Sequence, residues 1–260
     1  MFTFTNFFPA STIEEAYNEL LKNRKNIVLG GTSYLRMGNT QYNTAIDISN
    51  VENIDTITEK EDFFEIGAMV TFRQLETDKN LFAWFPVISH SVEDIVGVQL
   101  RNNVRIGATV FTKHGFSDII TALLSLDTYV VLYKGGEMRL EDFLKEKEVR
   151  RDILVKIIIK KEKVQTSFQS VRKSKADYSV LNMAVSKNEK GEYRVAVGAR
   201  PSKAVLAHET MKYLSQNFDE KEAGEILKKE ITFGSNMRGT KEYRELLGAA
   251  LLAKAVREVR

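Results

Sequence analysis

An α+β fold is predicted for this chain by the order of its elements. Residues 1–54 read as strand, helix, strand, whereas residues 163–260 place their strands before their helices, the order of an antiparallel sheet with helices laid on one face. No internal repeat, low-complexity tract or Pro-rich linker interrupts the chain, which has 3 prolines in 260 residues. With 43% apolar residues it is long enough to bury the core of one large or two modest domains.

The elements follow from local pattern. Ser11 and Glu14 form a capping box, and Ile13, Ala16, Tyr17, Leu20 and Leu21 recur at helical spacing, which predicts a helix over 12–23. "NIVL" at 26–29 and "TAIDIS" at 44–49 read as short strands. A further strand through Ile66 gives way at Thr71 to a helix start, with Gln74 in the capping-box position. Residues 86–96 read as helical, and "TYVVLY" and "EMRL" flank Lys134-Gly135-Gly136 as a hairpin. A β-branched strand covers 153–161. Beyond it, "SFQSVRK", "YSVLNMAVS" and "YRVAVGA" are strands, and 204–216, 219–229 and 240–258 are helices.

Composition removes several classes of function. Net charge is +3 from 38 basic and 35 acidic residues, too balanced for a nucleic-acid binder. No apolar run approaches the roughly 20 residues of a membrane span, and the start, "MFTFTNFFPAST", lacks the basic and apolar segments of a signal peptide, so a cytoplasmic location is expected. The absence of cysteine excludes a disulfide, a thiolate nucleophile and a self-held iron–sulfur cluster. His90, His114 and His208 are scattered, which argues against a metal site and against a Ser-His-Asp triad.

Two stretches carry chemistry. In "IVLGGTSYL", residues 27–35, a strand runs into Gly30-Gly31, and a loop there can turn several N–H groups toward an anion with no Cβ in the way. It is neither the three-glycine dinucleotide fingerprint nor the phosphate loop ending in Lys-Ser/Thr, and Gly-Gly also serves simply as a turn. In "QLRNNVRIGATVFTKHGFSD", residues 99–118, an Arg-Asn pair precedes a Gly107-Ala108-Thr109 turn, and Asp118 follows. Taken alone, those residues fit a strand, a bend and an N-cap.

Together the two stretches resemble the flavin-binding subunit of the molybdenum hydroxylases, the group containing xanthine dehydrogenase and carbon monoxide dehydrogenase. Leu29-Gly30-Gly31-Thr32-Ser33 is similar to the family's Ala-Gly-Gly-Thr loop. Leu100-Arg101-Asn102, Ile106-Gly107 and Ser117-Asp118 are similar to its Ile-Arg-Asn, Ile-Gly-Gly-Asn and Ser-Asp elements. "IDISN", "IGAMVTFRQLE", "ALLSLD", "VRKSKADYSVLNMAV" and "NMRGTKEYRELLGAALLAKAV" extend the resemblance over the chain.

The resemblance implies a two-lobed FAD-binding domain of the p-cresol methylhydroxylase type at 1–162, with lobes at about 1–54 and 55–162. It implies a small α+β C-terminal domain at 163–260. The FAD pyrophosphate is expected between the backbone of Gly30, Gly31, Thr32 and Ser33 and that of Arg105, Ile106, Gly107, Ala108 and Thr109. Ile27, Val28, Leu29 and Tyr34 would complete the first wall, Asp118 would hold the ribose side, Ile95 and Leu154 would contact the flavin, and Gln169 would lie near the ring. No catalytic side chain and no metal are expected. Electrons would pass from iron–sulfur clusters on a two-iron small subunit, beside a molybdopterin-binding large subunit, through FAD to NAD or another acceptor. The alternative is a flavin-poor scaffold or assembly subunit, because Ala108 and Thr109 replace the family's Gly-Asn. Gly31→Val is expected to exclude FAD with little loss of fold.

Overall fold

The computed structural model describes residues 1–148, 150–217 and 219–260 and divides into two compact units. The first comprises residues 1–74, 98–112 and 129–159, and the second residues 75–97, 113–128 and 160–260, so each is assembled from three pieces of chain.

The chain runs β1 (Thr3–Pro9), α1 (Ile13–Lys22), β2 (Ile27–Val28), a 3-10 turn at Leu35–Met37, β3 (Gln41–Asp47), β4 (Ile57–Glu59) and β5 (Phe63–Gly67). Then come α2 (Phe72–Thr77), α3 (Lys79–Trp84), α4 (Pro86–Val92), α5 (Val98–Arg101), α6 (Ile106–Phe111) and α7 (Asp118–Leu124). The hairpin β6 (Thr128–Leu132) and β7 (Gly136–Arg139) precedes α8 (Leu140–Lys145) and β8 (Leu154–Lys160). The remainder is β9 (Val164–Arg172), β10 (Ser179–Asn188), β11 (Tyr193–Gly198), β12 (Val205–Leu206), α9 (His208–Gln216), α10 (Glu220–Glu230) and α11 (Lys241–Glu258).

In the first unit β1 and β2 both pair in parallel with β3, giving the order β1-β3-β2. A five-stranded sheet follows, ordered β4-β5-β8-β6-β7. The capping box before α1 sits one residue later than the sequence reading: Thr12 accepts from Glu15 N–H at 3.1 Å, while the Glu15 carboxylate accepts from Ser11 N–H at 2.9 Å. The Thr71–Gln74 box is reciprocal as read, with Gln74 N–H donating to Thr71 Oγ1 at 3.0 Å and Thr71 N–H to Gln74 Oε1 at 2.8 Å.

Residues 106–111 correct the sequence reading of a strand and a bend. Glycine and β-branched residues give this stretch little intrinsic helix tendency. Tertiary bonds start the helix instead, since Ile106 N–H donates to Val70 O at 3.0 Å and Gly107 N–H to Ala68 O at 2.9 Å. Thr109 and Thr112 hydroxyls then donate back to the carbonyls of Arg105 and Ala108, both at 2.9 Å. Helix α4 stops at Val92, short of the expected residue 96, and Val205–Leu206 is a strand where a helix was read.

In the second unit β12-β11-β10-β9 form the antiparallel sheet. Alternation on β10 explains why the whole strand is buried down to Ser186. Leu181, Met183 and Val185 join Leu227, Leu252 and Val256 in one apolar core with α9, α10 and α11. On the other face Asn182 receives Thr121 Oγ1 at 2.8 Å, and Ser186 donates to Ser125 O at 2.5 Å, which seats α7 there. Helices therefore cover both faces of this sheet rather than one.

Arg244 on α11 is fully buried and has no carboxylate partner among the described residues. It donates to Val180 O at 2.8 Å, Gly234 O at 2.7 Å, Gly239 O at 2.5 Å and Asn236 Oδ1 at 2.7 Å, tying the loop before α11 to β10. Removing it leaves buried carbonyls short of donors, at about 1–3 kcal/mol each. Arg244→Ala is expected to lower stability by about 3 kcal/mol or more in urea denaturation; a loss under about 1 kcal/mol would show that the loop does not need this anchor.

Candidate functional site: two backbone loops

Strand β2 is only two residues long, and Leu29 N–H closes it by donating to Ile46 O at 2.8 Å. The chain then leaves the sheet. Gly31 has φ +72° and Thr32 φ +58°, so two successive residues lie in the left-handed region. For glycine that costs little, but for a β-branched threonine such a conformation stores about 1–3 kcal/mol and points to a constrained, functional backbone.

The second loop meets the first directly. A Cβ on Gly30 would lie 2.4 Å from Ala108 Cβ, and one on Gly31 would lie 1.7 Å from the Asn103 carbonyl oxygen and 3.2 Å from Arg105 Cγ. Glycines at 30 and 31 are thus what allows residues 30–31 to close on residues 103–108. Gly107 solves the same problem on its other side, because a Cβ there would lie 2.5 Å from Ala68 Cβ and 2.7 Å from Ala68 O. Phe72 N–H donates to Val104 O at 3.1 Å, which, with the Ala68 and Val70 bonds, pins residues 104–107 along residues 68–72.

The polar groups at this junction are main-chain donors. Among the described residues, the N–H groups of Gly30, Gly31, Thr32, Ser33 and Ala108 donate to no protein acceptor, and the hydroxyls of Thr32 and Ser33 are likewise uncommitted. Residues 27–33 and 104, 105, 108 and 109 are half-buried, so water has limited access. Arg105 donates to Met69 O at 2.9 Å, and its buried Nε has no partner. No carboxylate occurs in residues 27–35 or 104–112. A cluster of free amides on half-buried backbone, with an arginine and without a carboxylate, is the donor set that a phosphate or pyrophosphate requires. The chain's own residues therefore fit the diphosphate of FAD.

Ala108 and Thr109 find places that leave the amides open. The Ala108 methyl lies against Gly30, and the Thr109 hydroxyl is spent on Arg105 O. Tyr34 is exposed beyond the loop. Leu154 is buried on β8, next to Val155, whose carbonyl accepts from Ala68 N–H at 2.9 Å.

Ile95, Asp118 and Gln169 belong to the second unit. Ile95 is half-buried after α4. Asp118 is buried at the first turn of α7 and accepts from Arg172 at 2.7 Å, Ser179 at 2.7 Å and Asn182 at 2.5 Å. Burial pushes its carboxyl above the ordinary carboxylate value, against the opposing pull of Arg172 and the hydrogen bonds from Ser179 and Asn182. The Gln169 amide donates to Ser167 Oγ at 3.0 Å and to Glu258 Oε2 at 2.7 Å, between β9 and the end of α11. His114 stacks on Phe116 at 4.9 Å, and burial lowers its imidazole below the usual value.

Asn103 and Ala68 escaped the sequence reading. Both act through main-chain atoms, which leave no signature in side-chain identity. The expectation for Gly31→Val is also corrected: its side chain would enter the backbone of Asn103 rather than open ligand space, so that substitution breaks the loop itself.

Fold and junction together define a class: a two-unit α+β chain in which two backbone loops meet with their amides open. Residues 2–160 match the family described as the FAD binding domain in molybdopterin dehydrogenase, and residues 166–259 match the CO dehydrogenase flavoprotein C-terminal domain. The nicotinate dehydrogenase FAD-subunit of Eubacterium barkeri is 28% identical over 170 residues, which is 59% of this chain and 57% of that protein, little more than half its length. The uncharacterized protein YgfM of Escherichia coli strain K12 is 24% identical over 95% of this chain and 93% of its own. In fold, a chain of reconstituted CO dehydrogenase from Oligotropha carboxidovorans matches with TM-score 0.90 at 19% identity, over 98% of this chain and 96% of that one. The chain belongs to the FAD-binding-domain family of the molybdopterin dehydrogenases, the flavin subunits of the molybdenum hydroxylases, and FAD is the cofactor of that family.

If the Gly30–Ala108 approach sets the spacing of the loops, Gly30→Ala is expected to weaken FAD binding at least about tenfold, or about 1.4 kcal/mol. Ala108→Gly alone should leave affinity unchanged or tighter, and the double variant should recover most of the loss. Titration of FAD fluorescence measures all three; additive effects would contradict the contact.

Proposed function

We propose that the chain is the FAD-binding electron-transfer subunit of a multi-subunit molybdenum hydroxylase of the xanthine dehydrogenase type. In this reading the pyrophosphate is held by Gly30–Ser33 and by Arg105, Ile106, Gly107, Ala108 and Thr109. Ile27, Val28, Leu29 and Tyr34 form the adjoining wall, and Ile95, Asp118, Leu154 and Gln169 serve the ribose and ring ends. The observation that carries it is the meeting of two loops whose amides have no acceptor of their own.

When bound, FAD supplies a carrier that accepts electrons and releases them as a pair, chemistry that belongs to the cofactor. The protein's task is to bind, orient and shield it. The free amides meet the negative charge without a mobile lysine or a metal, and half-burial of the loops keeps competing water away. No side chain is required as a general acid or base. Because cysteine is absent, the iron–sulfur clusters that feed the flavin reside on a two-iron small subunit, and substrate oxidation on a molybdopterin-binding large subunit. NAD or another acceptor receives the electrons in this reading. No helix among the described residues is long and apolar enough to cross a membrane, which accords with a cytoplasmic complex.

A second reading, a flavin-poor scaffold subunit, is favoured by one observation: the Ala108 methyl fills part of the junction at Gly30. FAD titration of the purified, folded chain separates the two. Bound-flavin absorption bands reaching one FAD per chain are expected. A folded chain without such bands in excess FAD would overturn the first reading and leave the scaffold. Co-purification from the native host tests the assembly, where a cysteine-rich partner and a large partner are expected and a lone chain with full turnover would contradict it.

A further inference from the structure

Residues 23–29 join α1 to the glycine loop, and β2 within them makes only two pairs with β3, Ile27 with Ala45 and Val28 with Ile46. So short an edge strand specifies its own register weakly. Two side chains compensate. Buried Asn26, immediately before β2, donates to Glu19 O at 2.7 Å and accepts from Asn43 Nδ2 at 2.9 Å and Thr44 N–H at 3.1 Å, joining α1 to β3. From more than a hundred residues further along the chain, Arg151 donates to Leu20 O, to Asn23 O at 2.5 Å, to Arg24 O at 3.2 Å and to Asn26 O at 3.5 Å.

A guanidinium is suited to this place. The last carbonyls of α1 have no helical partner and carry the negative end of its dipole, and only a planar fork reaches several of them at once. Arg151 is itself fixed, because Asp152 beside it accepts from the N–H groups of Lys134 at 3.1 Å, Gly135 at 2.8 Å and Ile153 at 2.8 Å, which ties this stretch to the β6–β7 hairpin. Leu154 begins β8 two residues later.

We infer that Arg151 is a positioning residue for the cofactor loop: by gripping residues 20–26 it sets where Gly30–Ser33 present their amides. This rests on the reading of that loop as the FAD site. Only three residues, the strand pair Ile27–Val28 and Leu29, separate Asn26 from Gly30, which leaves little slack to absorb a shift. Among the described residues Arg151 makes no hydrogen bond to residues 30–33, so its effect is transmitted through β2.

The test compares wild type with Arg151→Ala, Arg151→Lys and, as a control, Arg150→Ala, whose guanidinium pairs with Glu146 instead. In the protein without FAD, hydrogen exchange of residues 27–35 is expected to speed up at least about tenfold in Arg151→Ala, with residues 181–185 of β10 unchanged. FAD affinity of the folded protein is expected to fall at least about tenfold, Arg151→Lys to recover it in part, and Arg150→Ala to retain it. A merely structural role would lower the melting temperature without changing affinity or local exchange. Wild-type affinity and exchange in Arg151→Ala would overturn the inference. Should Arg151→Ala fail to fold, Arg151→Lys decides by the same readouts, wild-type values overturning it. Failure of the wild-type chain to take FAD would count against the proposed function instead, and the exchange measurement would still decide the role of Arg151.

Discussion

The contact of Gly30 with Ala108 is the constraint on which the rest of the first unit depends. Two stretches more than seventy residues apart in sequence can present their amides to one anion only if their backbones approach within side-chain distance. That approach needs a missing Cβ on one side and a small one on the other. Around it the fold supplies fixed walls: Ile46 holds the end of β2, while Ala68, Val70 and Phe72 hold residues 104–107. The price is local strain, visible in the left-handed threonine at position 32.

The chemistry follows from what the site omits. A diphosphate bound by lysines would be gripped by flexible point charges; in the proposed site it is met instead by peptide groups whose positions are fixed by neighbouring strands and a short helix. Such donors need no reorganisation when charge arrives, which suits the proposed role of holding a redox cofactor steady. The second unit has its own polar keystones. Asp118 with Arg172, Ser179 and Asn182 locks α7 to the sheet on one face, and Arg244 locks α11 on the other.

Much of this was legible in the sequence, and the reason differs by element. The β6–β7 hairpin, the Thr71–Gln74 cap and the three C-terminal helices rest on local turn, cap and periodicity signals, and they stand where those signals put them, except that the first of the helices starts at His208, after a short strand, rather than at 204. The glycine loop was legible because missing side chains are themselves a signal. The helix at 106–111 was not, because its first N–H groups are satisfied by Ala68 and Val70, far away in the chain, and its residues favour helix poorly. Equally hidden were the parts played by Asn103 and Ala68, which use carbonyls that every residue has. The contact of Gly30 with Ala108 lies between these cases: the sequence shows two small residues, but only their meeting in space gives them a joint role.

The most direct test of a shared main-chain cradle is amide NMR of the nitrogen-labelled protein during addition of FAD. The resonances of Gly30, Gly31, Thr32, Ser33 and Ala108 should move together, along one binding curve, as their N–H groups acquire phosphate acceptors. Shifts confined to one of the two loops, or absent from both while FAD binds elsewhere, would contradict the account.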